Sequence, residues 1–279
     1  MSTQNITPAE HVAQVLASFD ESKDPRLVEV TQAAIRHLHA FAEEVGLTRD
    51  EWMAGIQFLT AVGQRCDDTR QEFILLSDTL GVSSLVEMLT HDGVEGSTEN
   101  TVLGPFYVPG SPQRAKGESM LVDPDDGDRV VIRGTVTDID HQPIAGATLD
   151  CWQNATAGFY AVQQPGEQSA ENLRGVYTTD ADGSYEIRTV RPVPYPIPSD
   201  GPAGDLLKAH GRNWVRPGHT HMWVRADGYK ELITHVFDEE TEHLRDDAVF
   251  GVRDSLVRRF QHDAAGELAT TFDIVLDRA

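Results

Sequence analysis

Residues 216–238 read "RPGHTHMWVRADGYKELITHVFD", and the period of that run decides the kind of fold. His219 and His221 stand two residues apart at the head of the run, which reads as two strands, one from His219 and one from Leu232. A repeat of two is the signature of an extended strand, in which neighbours point to opposite faces. Asp227 and Gly228 between the halves supply a tight turn, because Asp-Gly tolerates the positive φ values that such turns need. His219 and His221 then share one face. Imidazole is the commonest metal-binding side chain, so a same-face pair can hold one ion. The same pair also arises by chance on an ordinary strand, and both readings stand at this point.

Working outward, the period of two begins at Arg129. "VVIRGTVTD" places Val130, Ile132, Gly134 and Val136 on one side, and the strand "ATLDCWQN" follows after a turn. "GVYTTDADGSYEIRTV" reads as two strands around Asp182 and Gly183, and "TTFDIVLD" as a last strand. Many short strands with Gly and Pro turns predict an antiparallel β-sandwich.

Toward the N-terminus the period changes. Leu27, Val30, Ala34, Leu38, Phe41 and Val45 recur at spacings of three and four, which makes one apolar helical stripe destined for a core or an interface. Thr48 with Glu51, and Thr69 with Glu72, are capping-box pairs that open two further helices, stopped at Gly63 and Gly81. Ser83 or Ser84 starts a short helix through Leu89. Around Gly93 the composition turns rich in Gly, Pro, Ser and Thr, a linker or wrapping loop. The expected class is α+β: a helical domain over residues 1–100, then a sandwich over residues 101–279.

Composition narrows the function. With 23 basic and 45 acidic residues the formal charge is −22, which repels nucleic acid and anionic lipid. Cys66 and Cys151 are neither a disulfide framework nor a zinc-finger spacing. No secretory signal and no apolar run of bilayer length is visible, so an acidic cytoplasmic protein is expected.

The familiar metal motifs fit the histidine pair poorly. His-Glu-x-x-His is absent. A facial triad needs a carboxylate, for which Glu231 and Asp238 on the next strand remain open. A cupin-type site wants a Glu where Val224, Arg225 and Ala226 stand. Two tyrosines have unusual settings. Tyr160 ends "NATAGFY", and Tyr195 lies in "RPVPYPIPSDGP", where alternating prolines stiffen the backbone and preclude a regular ladder.

Taken together, Arg216, Pro217, His219 and His221, with Tyr160 after an Asn-x-x-Gly-x segment and Tyr195 in a proline-rich loop, resemble the intradiol ring-cleavage dioxygenases. The resemblance spans roughly residues 20–260. "FILLSDTLGVSSLV" is similar to the catechol and hydroxyquinol branch, and "LITHVF", "PYPIPSDGP" and "GPFY" to its hydroxyquinol-cleaving members. Most relatives carry alanine where Gly218 stands, a lost methyl that need not disturb a metal. His235 replaces the glutamine of catechol-cleaving relatives.

This resemblance implies non-haem Fe(III) held by Tyr160, Tyr195, His219 and His221. Two phenolates and a hydroxide would balance the three charges of the ion, whose field favours the phenolate over the phenol. It further implies O2-dependent cleavage of an aromatic diol or triol between its hydroxyl-bearing carbons, hydroxyquinol first, with catechol or chlorocatechol as the alternative. Tyr195 would act as base and leave the metal, Arg216 would stabilise charge developing on the ring, and His235 would donate a hydrogen bond or set protonation states. Leu76, Asp78, Leu80, Gly104, Pro105, Phe106 and Tyr107 would line the substrate. A homodimer built on the helical part, with a phospholipid that relatives can hold there, belongs to the same implication. A sandwich module that binds without catalysis is the reading from another class.

Overall fold

A computed structural model describes residues 6–19, 23–67, 70–90 and 94–279. The chain divides into two compact units, residues 1–60 and 61–279. That division falls earlier in the chain than the compositional change near Gly93, which itself lies outside the described residues.

The first unit holds α1 (Pro8–Ala17), α2 (Pro25–Glu44) and most of α3 (Arg49–Gln64). Local chemistry opens each helix. Thr7 and Glu10 form a reciprocal capping box on α1, Asp24 accepts from the Arg26 and Leu27 N–H groups at α2, and Thr48 pairs reciprocally with Glu51 at α3 as expected. Against α1, α2 turns Gln32, whose Nε2 donates to the Leu16 carbonyl at 3.2 Å, and His39, whose ring lies 5.8 Å from that of His11. The expected stripe of Leu27, Val30, Ala34, Leu38, Phe41 and Val45 is therefore not core within the chain: all six are exposed, Leu38 by 67%. No described residue of this unit is buried.

The second unit begins at the end of α3, which runs through Gly63 rather than stopping there. Helices α4 (Glu72–Thr79) and α5 (Val82–Thr90) meet at Gly81, whose φ of +75° permits the turn. Thr69 lies outside the described residues. Glu72 does not cap α4. Its carboxylate is buried, accepts from the Ala203 N–H at 3.1 Å, and pairs with Arg70. That bond seats the first turn of α6 (Pro202–Ala209).

Two five-stranded sheets follow. One contains β2 (Thr148–Trp152), β3 (Arg174–Thr178), β7 (His219–Arg225), β8 (Leu232–Asp238) and β9 (Val257–Arg258) in the order β3-β2-β7-β8-β9. The other is centred on β1 (Arg129–Asp138), with β4 (Ser184–Val190) antiparallel on one side. On its other side lie β11 (Leu268–Thr271) and β12 (Ile274–Leu276), both parallel to β1, with β10 (Gln261–His262) outside β11. The sheets are thus mixed, not purely antiparallel. The expected last strand is broken at Phe272, where its carbonyl approaches so closely that a Cβ on Gly134 would stand 2.1 Å away. Strands β3 and β4 occur around Gly183, yet they pair with different partners, so that turn carries the chain from one sheet to the other. The Asp227–Gly228 turn does join a true hairpin, β7 to β8, in register His221 opposite His235.

Between the sheets lies a core that includes Ile132, Val136, Leu149, Cys151, Tyr185, Ile187, Met222, Val224 and Val236. Met222 and Val224 alternate with the histidines, so the same pleat that buries them turns His219 and His221 away from this core. No single helix among the described residues is long and apolar enough to cross a membrane.

Candidate metal centre

Strand β7 places the two imidazoles on one face, both fully buried, with their Nε2 atoms 3.1 Å apart. The Nδ1 of His219 lies 2.7 Å from the Pro217 carbonyl. A carbonyl only accepts, so Nδ1 carries the proton and Nε2 presents a lone pair.

Tyr160 arrives from the loop after β2. The Ala155 N–H donates to the Phe159 carbonyl, and Gly158 at φ +83° closes the turn. This brings the Tyr160 hydroxyl to 3.1 Å from His221 Nε2. Tyr195 comes from the proline-rich segment, which manages only a two-residue pairing of β5 (Tyr195–Pro196) with β6 (Val215–Arg216). In that pairing Tyr195 faces Arg216, whose Nη1 donates to the Tyr195 hydroxyl at 3.4 Å and stands 3.2 Å from His219 Nε2. The rings of Tyr160 and Tyr195 meet edge to face at 5.2 Å.

Arg216 is 2% exposed and is no surface salt bridge. Its guanidinium reaches both carboxylate oxygens of Asp247, at 3.2 and 3.4 Å, and Asp247 also accepts from the Gly251 N–H. Sequence reasoning missed Asp247, because nothing in "RDDAVFG" marks one aspartate as buried. Trp152 was missed as well. It stacks on His221 at 4.6 Å and 10°, one strand over, in the register that pairs those two residues.

His235 on β8 lies across from His221, with ring centroids 4.2 Å apart. The three histidines offer ligand atoms within 4.8 Å of one another. The His235 ring, however, stacks on that of His219 at 4.5 Å and 25°, so their in-plane lone pairs do not converge on one point. Neither carboxylate left open for a facial triad joins them: Glu231 accepts from the Trp223 indole, and Asp238 is paired with Arg191.

The other expected residues divide. Gly104, at φ +76°, lies so near that a Cβ would touch His221 Cε1 at 3.4 Å. Phe106 stacks on Tyr160 at 4.7 Å and meets Tyr195 edge-on at 6.3 Å. With Pro105 it lines a cavity of about 420 Å3 that also touches Leu75, Val162 and Pro198. Leu76 and Asp78 are buried on α4. Burial pushes the Asp78 carboxyl up, while Ser83 and the charge of Arg216 pull it down. Leu80 stands 57% exposed at the end of α4. Tyr107 sits one layer behind His221, between Trp152 and Trp223, with its hydroxyl on Asp150.

Gly218 has a sharper role than a spared methyl. A Cβ there would stand 2.5 Å from the Pro192 carbonyl oxygen, so the backbone leading to Tyr195 occupies the space an alanine would need.

Burial sets the charge state of the unaided site. It raises the Tyr160 phenol well above its ordinary value, and Tyr195 adds to the effect. It also raises the Tyr195 phenol, although Arg216 opposes it. Burial above all, then the crowding of the imidazoles on one another and the charge of Arg216, hold His219, His221 and His235 well below the usual imidazole value. For Arg216 burial works against the charge, but Asp247 and the phenols outweigh it and the guanidinium stays protonated.

These donors fit a metal. Lone-pair atoms about 3 Å apart are the separation expected of ligands about 2.1 Å from a shared ion. His221 turns its Nε2 toward the Tyr160 hydroxyl and His219 Nε2, 3.1 Å from each, so that end of the ring faces the other donors. Phenol oxygens with imidazoles are a donor set for a hard, highly charged ion, and non-haem iron(III) is such an ion.

Comparison with known proteins agrees. A family model described as "Dioxygenase" matches residues 102–278, and one described as "Catechol dioxygenase N terminus" matches residues 24–98. A hydroxyquinol 1,2-dioxygenase of Rhizobium sp. is 47% identical over 88% of this chain and 83% of its own length. Another, from Nocardioides simplex, is 45% identical over 91% of this chain and 86% of its own. Among solved structures, hydroxyquinol 1,2-dioxygenase from Pseudomonas putida DLL-E4 superposes with a TM-score of 0.91 at 43% identity, covering 98% of this chain and 99% of that one. The chain belongs to the intradiol ring-cleavage dioxygenase family, in its hydroxyquinol and catechol 1,2-dioxygenase branch.

Proposed function

We propose that the chain cleaves hydroxyquinol, 1,2,4-trihydroxybenzene, with O2 between two adjacent hydroxyl-bearing carbons. The product is 3-hydroxy-cis,cis-muconate or its tautomer maleylacetate. The observation that carries this reading is the buried convergence of two phenols, two imidazoles and one guanidinium around Tyr160, Tyr195, His219, His221 and Arg216.

Tyr160, Tyr195, His219 and His221 would hold the ferric ion. When bound, it supplies the positive charge that turns the phenols into phenolates and primes an electron-rich diol for oxygen. The residues do the rest. A buried phenolate returns to a high affinity for protons once it leaves a cation, so Tyr195 is suited to take a proton from a substrate hydroxyl. Arg216 cannot serve as a base. Pinned by Asp247, it faces the reacting ring with a fixed positive charge. Phe106, stacked on Tyr160, shields the ring from water, and Gly104 leaves room beside His221. Leu76, Asp78, Leu80, Pro105 and Tyr107 complete the proposed substrate surroundings, and His235 adjusts protonation from the strand beside the ligands.

The functional partition is proposed at residues 1–100 and 101–279, supported by the two family models that meet between residues 98 and 102. A homodimer through the exposed stripe of α2 is proposed because so much apolar helix surface stands uncovered. A phospholipid tail would lie against the same surface. Two unpaired cysteines suit a reducing cytoplasm.

Initial rates with hydroxyquinol and catechol test the substrate, and a clear preference for catechol overturns it. Iron-loaded protein should be red-brown from phenolate-to-iron charge transfer. A colourless iron-loaded protein removes the ligand set, and with it the proposed chemistry.

A further inference from the structure

Gln153 follows directly on β2 and is 1% exposed, yet the chemistry above leaves it without a task. Its amide oxygen accepts from the hydroxyl of Thr220 at 2.9 Å and from that of Thr189 at 3.0 Å. Its Nε2 donates to the Val190 carbonyl at 3.0 Å. The orientation of the amide is unambiguous, since the Val190 carbonyl requires a donor and the opposite end must therefore be the oxygen. Thr220 belongs to β7 in one sheet and Thr189 to β4 in the other, so one side chain bridges both. Thr220 is also the residue between His219 and His221, with its side chain on the opposite face of the strand.

Asn154, likewise 1% exposed, donates Nδ2 to the Val193 carbonyl at 3.2 Å, two residues before Tyr195. Its Oδ1 is buried without a partner, a cost that a purely space-filling residue would avoid. Trp152, just before the pair, stacks on His221. Three consecutive residues thus touch the histidine strand, the end of β4 and the segment of Tyr195.

We propose that Gln153 and Asn154 are positioning residues, whose amides hold the strand of His219 and His221 and the segment of Tyr195 at the separation one metal ion needs. The proposal rests on the ligand set given under the proposed function. Packing alone does not ask for a glutamine here, because an apolar side chain of similar volume would fill the space. The Gln153 amide, with its partners filled inside a low-dielectric core, resists displacement, since any shift of either strand strands a buried polar group. Groups that orient metal ligands from behind typically matter about 10- to 100-fold in metal affinity.

The test compares Gln153→Met, Asn154→Leu, Thr220→Val and Thr220→Ser in the full chain. The readouts are iron release to a chelator, the position of the visible charge-transfer band, and thermal unfolding of the metal-free protein. Gln153→Met is expected to release iron about 10- to 100-fold faster and to shift the band. Asn154→Leu should shift the band through Tyr195. Thr220→Val should move both readouts in the same direction by a smaller factor, and Thr220→Ser, which keeps the hydroxyl, should restore them at unchanged unfolding temperature. Release rates and a band like those of the parent in both Gln153→Met and Thr220→Val overturn the proposal. If Gln153→Met does not fold, the Thr220 pair decides. A parent protein that binds iron without a phenolate band defeats the ligand set instead, and release rates alone then judge Gln153.

Discussion

The helical unit over residues 1–60 and the sandwich unit over residues 61–279 spend their apolar residues in opposite ways. In the first, no described residue is buried, and Leu38, Phe41, Trp52 and Leu59 face outward. In the second, Ile132, Leu149, Met222 and Val236 are fully enclosed, each burial contributing about 1.5–3 kcal/mol. The helices are specified by local chemistry, above all their caps, while the sheets are specified by what packs between them. The metal centre sits in the second regime, where a polar group must find its partner inside the protein or be costly.

The largest break in this contrast should come from Asp247→Ala. It leaves the Arg216 guanidinium buried and unpaired, and unfolding free energy should fall by about 3–5 kcal/mol in denaturant titration. Removing Glu29 from its exposed pair with Arg26 on α2 should leave that titration unmoved. An equal loss from both would erase the distinction between the units.

Gly218→Ala comes next. The added methyl must displace the Pro192 carbonyl, costing about 1–3 kcal/mol as overpacking does, and Tyr195 should move with it. A shifted charge-transfer band with lowered kcat checks this, whereas a parent-like spectrum would mean the segment yields freely.

A smaller effect on stability, but a plain one on assembly, is expected from Leu38→Glu combined with Phe41→Glu. Both side chains are already exposed, so unfolding should change by no more than about 0.5 kcal/mol. Sedimentation should nonetheless shift the proposed homodimer toward monomer. An unaltered oligomeric state would remove α2 as the dimer surface.

The mildest prediction concerns acid. Thr7 and Thr48 hold Glu10 and Glu51 below the usual carboxylate value, through backbone and then hydroxyl hydrogen bonds. A lowered folded value means this contribution is complete above the unfolded pKa of about 4.3 and is lost as pH falls through the folded value. Helical ellipticity should therefore decline below about pH 4 in the parent, and the decline should be blunted in Glu10→Gln with Glu51→Gln. No blunting would mean the caps do not govern the helices.

Much of the convergence was legible because the residues that meet there are close in sequence or carry strong local signals. His219 and His221 share a face by simple alternation, and the prolines around Tyr195 announce a rigid segment. Asp247 and Gln153 were not legible, since each is an ordinary polar residue until the fold buries it. The same limit explains the Asp182–Gly183 turn. Its composition marks a turn correctly, but whether the flanking strands pair with each other depends on which sheet receives them.

By itself, the sequence determined that helices precede strands, the face on which the histidines stand and the cap of α3, while iron(III) came from the resemblance to a family and not from the residues alone. The first three are matters of period and local hydrogen bonding, both carried by neighbouring residues. Only the tertiary structure decided that the α2 stripe lies uncovered, that β11 and β12 run parallel to β1, that Arg216 is locked to Asp247, and that Gly218 yields its space to the Pro192 backbone. Each of these joins parts of the chain far apart in sequence, or concerns a surface left without a partner, and close approach between distant segments leaves no periodic trace in either.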